Sequence, residues 1–416
     1  MKVKHIGLGV ILFICQITFA QKKLDLSSCE QQFVKNNLLL LARHYNIDAT
    51  KALTIQAKIW DLPYLSGEFN AINPPNSKVL DVGGKGQKAL AIQQLIYLGG
   101  KKKNQVALSK VNEQMADLDF QDLLRVLKFQ LRKSFFTLYF NNKKIETTDV
   151  QIAHILDLVN AYTVQVQKGN VPLKELVRLQ SLLISFRNER IEIINSNIEE
   201  QNNLKLLLNE TANITPVYDE TTFNKYLKET VGDTKVLEGL ATENRADYLL
   251  VNKNIEANQW NVKWQQSLAK PDVNLGLSYD QRGGAFNNQV NVTFGIPLAF
   301  WNRNQGNIKF SQVILQQAKA DKETFSQKLQ TEIATNLSKW KEAKINYQQL
   351  SPTTIADFDE VYRGVLQNFQ KRNVSILEFT DFMESYNVMS LQINESKKRV
   401  ALTAEELNSV LNYNVF

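Results

Sequence analysis

The chain says one thing twice. Gln167-Lys168-Gly169-Asn170-Val171-Pro172-Leu173-Lys174-Glu175-Leu176 returns 203 positions later as Gln370-Lys371-Arg372-Asn373-Val374-Ser375-Ile376-Leu377-Glu378-Phe379, with five of the ten positions identical. Leu173/Ile376 and Leu176/Phe379 keep their apolar character, so what a helix would bury is retained. Each copy interrupts a very long helical pattern with a short turn. Pro63 and Pro271, 208 apart, each follow an amphipathic segment and open a strand-like stretch. By the end of the following hairpin the offset is 203, Leu95 against Leu298 and Tyr97 against Phe300. One five-residue difference inside the hairpin reconciles all these landmarks. Such a repeat predicts a duplicated helix–hairpin–long-helix unit rather than a string of unrelated domains.

The predicted organisation follows from that unit. Residues 1–20 form a signal peptide and 21–210 the first repeat, with a β-hairpin at about 63–98 and a helical hairpin whose tip is 169–172. Residues 211–240 are a connector that loses periodicity and is expected to wrap on the outside. The second repeat, 241–416, has its β-hairpin at about 271–301 and its tip at 372–375. The signal rests on Lys2 and Lys4, the apolar run Ile6 to Cys15, and Thr18-Phe19-Ala20 before Gln21. A rival reading attaches lipid at Cys15, although Ile14 is a poor fit just before a modified cysteine. With the signal removed, only Cys29 remains, which excludes an intrachain disulfide. The formal charge then falls from +7 to +5, spread without any run that would point to nucleic acid.

From Pro271 the residues alternate with period two. Val273, Leu275, Leu277 and Tyr279 share one face, and Asp272, Asn274, Gly276, Ser278 and Asp280 the other. After a polar turn over 281–288, Val290, Val292, Phe294, Ile296, Leu298 and Phe300 alternate with Gln289, Asn291, Thr293, Gly295, Pro297 and Ala299. Alternation over about ten residues suits a half-buried soluble strand or a membrane-barrel strand. Export, the continuous apolar face, and Tyr279, Phe300 and Trp301 near the strand ends favour the barrel. The first hairpin alternates less cleanly: Leu65, Gly67, Phe69 and Ala71 suit an outward face, but the repeat aligns Gln93 with Ile296 and puts an amide there. Four strands cannot close a barrel in lipid, where every edge group needs a partner. Three chains donating four strands each would give twelve.

The helices set the length. From Gly99-Gly100 to Lys168 neither proline nor glycine interrupts the pattern, and nearly seventy residues span roughly 100 Å. The second copy is expected to kink or segment at Pro352 and Gly364. Return helices over 173–209 and 375–411 carry Leu176, Leu179, Leu183 and Phe186, and Phe379, Phe382, Met383 and Tyr386, at three- and four-residue spacing. No stretch after the signal reaches the ~18 apolar residues of a membrane-spanning helix.

Catalytic chemistry is not legible. His5 leaves with the signal, His44 and His154 are isolated, and no Cys/His cluster has metal-ligand spacing. Gly83-Gly84-Lys85-Gly86-Gln87-Lys88 lacks the spacing and the Ser/Thr of a phosphate loop. The reading is a protein that is no enzyme and has no cofactor.

Ile296-Pro297-Leu298-Ala299-Phe300-Trp301-Asn302-Arg303-Asn304-Gln305-Gly306-Asn307-Ile308 resembles the strand-to-helix junction of TolC-like outer-membrane efflux proteins, most closely the heavy-metal (cobalt-zinc-cadmium) branch. Leu26-Ser27-Ser28-Cys29-Glu30 resembles that family's opening helix, and Asn244-Arg245-Ala246-Asp247-Tyr248 its second-half counterpart. The two Lys-x-Asn-Val turns resemble the family's periplasmic tips, with Arg372 standing where Gly169 fits the common glycine. The resemblance implies a mainly α chain with a membrane β-barrel: a homotrimer whose twelve-stranded barrel continues into a helical tunnel through the periplasm. It implies a passive exit duct in outer-membrane lipid, fed with small molecules or metal cations by an inner-membrane pump through a periplasmic adaptor. Gly169, Asn170 and Val171, with Asn373, Val374 and Ser375, would then be adaptor-contacting tips. Glu378 and Asp381, three apart on one helix face, match the position of an acidic ring at the periplasmic aperture, with Arg363 and Arg372 as possible gate ion pairs. A solvated helix face is the competing account of the acids. Competing readings of the whole are a type I protein secretion component, a non-conducting envelope-spanning protein and a soluble adaptor. Polar Asp272, Asn274, Ser278, Asn291 and Thr293 suit a wet lumen better than a packed core.

Overall fold

The computed structural model describes residues 22–74, 77–283, 285–350 and 352–416. The predicted signal, with Cys15, and Gly284 of the second hairpin turn lie outside them. In chain order the described elements are β1 (Lys22–Leu24), α1 (Leu26–Asn36), α2 (Leu38–Lys58), β2 (Tyr64–Phe69), β3 (Ile72–Asn73) and β4 (Lys78–Val79). Then come β5 (Gln87–Ile96), α3 (Lys101–Gln167), α4 (Leu173–Leu208), β6 (Ile214–Pro216), a 3-10 helix (Glu220–Leu227), α5 (Thr234–Asn244) and α6 (Ala246–Leu268). The hairpin β7 (Val273–Arg282) and β8 (Phe286–Gly295) precedes α7 (Gln305–Gln348), α8 (Pro352–Gln370) and α9 (Ile376–Leu411).

Composition explains the helix lengths. With no proline or glycine to stop it, α3 runs 67 residues, about 100 Å at 1.5 Å per residue. Its counterpart is cut in two, α7 ending at Gln348 and α8 opening at Pro352. Proline is tolerated in a helix's first turn and not in its interior, so the break falls there. Gly364 costs no break: it lies inside α8.

The contacts divide the chain into two units. One comprises 22–37, Leu127–Glu229 and Trp340–Glu405; the other comprises Leu38–Val126, Thr230–Lys339 and Glu406–Phe416.

In the first unit, α3, α4, α8 and α9 bury Ile155, Leu179, Phe186, Phe369, Phe379 and Met383 in one cluster. Phe369 stacks on Phe379 at 4.0 Å and Tyr362 on Tyr386 at 4.3 Å. Elsewhere in this unit Phe33, Phe135, Phe136, Phe140 and Trp340 are fully buried. The first part of the connector, up to Glu229, belongs to that core rather than to an outer wrapping. β6 pairs in parallel with β1, Phe223 and Tyr226 are buried, and the Trp340 Nε1–H donates to the Tyr226 carbonyl at 3.1 Å. Two aromatic residues in the 3-10 helix, too short to show a period, hide that role from pattern reading. Cys29 is buried here as well, and desolvation pushes its thiol up to about 12.

In the second unit four strands form one antiparallel sheet, ordered β2-β5-β7-β8, and β3 pairs with β4 apart from it. Its register sorts the two faces. Leu65, Ile92, Leu277 and Val292 form one rung, and Gly67, Leu90, Tyr279 and Val290 the next rung on the same side. On the opposite side lie Ser66, Ala91, Ser278 and Asn291, and then Glu68, Ala89, Asp280 and Gln289. The sequence alignment errs at Gln93. It pairs with Tyr64 and Gly276, in line with Thr293, on the polar side. An odd offset between hairpins exchanges the faces, because strand side chains alternate with period two. Gln94 is the amide on the apolar side, and its Nε2 donates to the Asp61 carbonyl at 3.0 Å. Gly276 has no room for a side chain, since a Cβ would come within 2.7 Å of the Ile92 carbonyl oxygen and Thr293 Oγ1.

Candidate functional site

The two helical turns of the first unit are one device built twice. After α3 the Gly169 N–H reaches the Val166 carbonyl at 3.0 Å and the Asn170 N–H the Gln165 carbonyl at 2.9 Å. After α8 the Arg372 N–H reaches Phe369 and the Asn373 N–H reaches Asn368, both at 2.9 Å. This pair of back-bonds closes a helix end through a residue in the left-handed region, and φ is +71° at Gly169 and +64° at Arg372. Each asparagine also anchors its side chain five residues back, Asn170 Nδ2 to Gln165 Oε1 at 2.8 Å and Asn373 Nδ2 to Asn368 Oδ1 at 3.3 Å. The repeated Lys-x-Asn-Val is therefore a helix C-cap. Arg372 adopts the glycine's conformation at the steric cost a Cβ carries there.

The starts of the return helices differ. Pro172 precedes α4 without a side-chain cap. Before α9, Ser375 and Glu378 form a capping box: Ser375 N–H and Oγ donate to Glu378 Oε2 at 3.0 and 2.8 Å, and the Glu378 N–H donates to Ser375 Oγ at 3.2 Å. The Ser375 backbone and hydroxyl bonds hold the Glu378 carboxyl below its ordinary 4.5.

Gly169, Asn170, Asn373 and Ser375 are exposed, while Val171 and Val374 are half-buried, Val374 against the hairpin core. Glu378 and Asp381 are both exposed, Asp381 one turn beyond the box. Among the described residues, neither Arg363 nor Arg372 comes within salt-bridge reach of Glu378 or Asp381 in the same chain. Arg178, where the first copy replaces the second acid, donates from Nε to Thr380 Oγ1 at 2.9 Å and ties α4 to α9 beside the acids.

Sequence reading missed three arrangements. Arg132 joins Glu30 at 2.6 Å and Glu405 at 2.5 Å, and the Tyr226 hydroxyl donates to the other Glu405 oxygen at 2.5 Å. These partners are 102 and 273 residues from Arg132, beyond any local pattern. In the second unit Arg125 and Arg245 cap the end of α9, donating to the Ser409 and Val410 carbonyls at 3.1 Å each, and both pair with Asp247. A pocket of about 420 Å³ in the first unit, walled by Gln151, Phe358, Tyr362, Tyr386 and Met389, leaves the buried Gln151 amide without a hydrogen-bond partner among the described residues. No described group of three His, Cys, Asp or Glu could hold a metal ion.

The strand-to-helix junction is equally specific. Asn304, with φ +56°, donates from Nδ2 to the Gln265 carbonyl at 2.9 Å and ties the start of α7 to the end of α6. Asn307 Nδ2 donates to Asn304 Oδ1 at 2.6 Å, and the Arg303 N–H to Gln305 Oε1 at 2.8 Å.

Several solved structures resemble the chain in fold, two of them as follows. CusC, whose structures describe conformational changes accompanying folding and transmembrane channel formation, matches with a TM-score of 0.74 at 16% identity, covering 93% of this chain and 91% of its own. The Campylobacter jejuni CmeC outer membrane channel matches at 0.75 with 15% identity, covering 94% and 86%. The fold is TolC-like. At these identities the likeness carries the fold and does not separate a heavy-metal branch from the rest. No model of a known protein family matches the chain. A curated relative, an uncharacterized protein of Haemophilus influenzae, is 24% identical over 281 residues, 63% of this chain and 55% of the relative. The chain thus spans about half the length of the curated relative it matches.

Proposed function

We propose that the chain is one subunit of a passive trimeric outer-membrane channel, the exit duct of an efflux system fed by an inner-membrane pump through a periplasmic adaptor. One observation carries this reading: a four-stranded sheet with a continuous exposed apolar face, a polar opposite face and two open edges. Val292 is 77% exposed and Phe294 76%, and the rung through Leu65, Ile92, Leu277 and Val292 crosses all four strands. In water such a face would demand a cover; in lipid the hydrocarbon supplies it. The edges β2 and β8 must still be paired, because a bilayer core leaves no backbone group unsatisfied. Joining β8 of one copy to β2 of the next, three times, gives twelve strands with Ser278, Asn291 and Thr293 toward a wet lumen.

Cargo of small molecules or metal cations is supported by the junction's resemblance and by the acidic pair at the second tip. Threefold symmetry would gather six carboxylates from Glu378 and Asp381 around one aperture and concentrate cations there. The arginines Arg363 and Arg372 would act across subunits, since they do not reach the acids within one chain. The tips, Gly169 to Val171 and Asn373 to Ser375, are the surface offered to the adaptor. Native mass measurement of detergent-extracted protein tests the assembly. A trimer that forms ohmic pores in planar bilayers is expected; a stable monomer retaining its full β content would overturn the reading.

A further inference from the structure

We propose that a groove in the second unit binds the headgroup phosphate of an anionic phospholipid in the periplasmic leaflet; this rests on the outer-membrane reading above. The groove measures about 390 Å³, with Val106 and Ala107 on its floor and Lys58, Lys102, Lys103 and Lys110 around it. Lys58 closes α2, and the other three lysines stand on the first turns of α3. Lys103, Ala107 and Lys110, four and three residues apart, share one helix face. None of the four lysines has an acidic partner among the described residues. Their neighbour Lys101 shows the contrast, paired with Asp272 at 2.7 Å and almost buried. Four like charges around one groove repel, and Lys102 and Lys103 also sit where the helix macrodipole disfavours cations. An anion in the groove relieves both costs.

Placement makes the anion a lipid. The Lys102 ammonium lies 5.4 Å from the centre of the Tyr97 ring, and Tyr97 packs on Trp60 at 5.8 Å. Tyr97 follows directly on β5 and Trp60 lies four residues before β2, so this aromatic pair marks the level at which the sheet ends. Tryptophan and tyrosine gather at headgroup depth. Ile59 and Leu62, 50% and 86% exposed, continue the apolar surface on the same segment. A phospholipid matches both halves, its phosphate meeting the lysines and its glycerol and upper acyl carbons meeting Val106, Ala107 and that surface. A soluble anion would use the lysines and leave the apolar floor unmatched.

The test uses purified full-length trimer in detergent, titrated with phosphatidylglycerol or with phosphatidylcholine and read by native mass spectrometry. Phosphatidylglycerol should bind one site per chain. Replacing all four lysines (Lys58→Gln, Lys102→Gln, Lys103→Gln, Lys110→Gln) should weaken it at least tenfold, given roughly fivefold per lysine at a lipid surface. Phosphatidylcholine retention should not change. Glutamine is as good a helix former as lysine, so the trimer mass and the pore conductance should be unchanged. The control pair Lys319→Gln with Lys328→Gln, exposed on α7, should bind phosphatidylglycerol like the parent. Equal binding by parent and quadruple variant overturns the proposal, as does displacement of the lipid by millimolar inorganic phosphate, which would make the groove a soluble-anion site. A protein that neither trimerises nor conducts fails the outer-membrane reading first. One that conducts while its lipid binding ignores these lysines fails the present proposal alone.

Discussion

Glu378 is asked to do two things, and two substitutions separate them. As the acid of a capping box it needs a hydrogen-bond acceptor; as part of a charged aperture it needs its charge. Glutamine keeps the acceptor and loses the charge, whereas Ser375→Ala breaks the box and leaves the charge in place. Glu378→Gln with Asp381→Asn should therefore weaken cation selectivity in planar bilayers and relieve block by multivalent cations, with amide exchange at the start of α9 little altered. Ser375→Ala should do the reverse, raising exchange over Ile376–Phe379 while the reversal potential stays put. Unchanged conductance, selectivity and block in the double variant would assign these acids to a solvated face. The pH dependence has a definite sign. The folded carboxyl lies below its ordinary 4.5, so the box contributes in full above that value and is lost as pH falls through the lowered one. The Ser-x-x-Glu signature was readable in the sequence as a helix start.

At the scale of the elements, period and breakers carried most of what could be read. The uninterrupted run that became α3, the break at Pro352 and the alternation of β7 and β8 are local properties of the chain. The faces of β5 were not, because the repeat supplied an odd offset and only the register with β7 fixes which side Gln93 takes. The Arg132–Glu30–Glu405 cluster lay equally out of reach, since its partners meet only after α1, α3 and α9 pack. The register makes neighbouring positions behave oppositely. Leu277→Arg puts a cation on the apolar rung and should cost about 2–4 kcal/mol if that rung lies at mid-bilayer, measurable as lower urea resistance of the folded trimer in lipid. Ser278→Arg, one residue on, should leave that resistance nearly unchanged and reduce cation conductance. Equal sensitivity at the two positions would mean that the sheet has no lipid side.

At the scale of the whole molecule, the proposed channel has a direction. The turns over 73–87 and 281–288 should face the exterior and the two Lys-x-Asn-Val caps the periplasm. In intact cells a membrane-impermeant maleimide should label Ala285→Cys and spare Asn170→Cys, both exposed in the chain; the opposite pattern inverts the topology. The open edges of the sheet have a further consequence. A join of β8 to β2 uses two different surfaces, so each copy added presents a fresh edge as inviting as the one it covered. Such head-to-tail contacts end in a ring only when the rotation between neighbours brings the last copy back to the first, and otherwise they propagate without limit. Stopping is then a property of curvature rather than of affinity. A chain with too flat a sheet would lose its ability to count to three before it lost its tendency to stick.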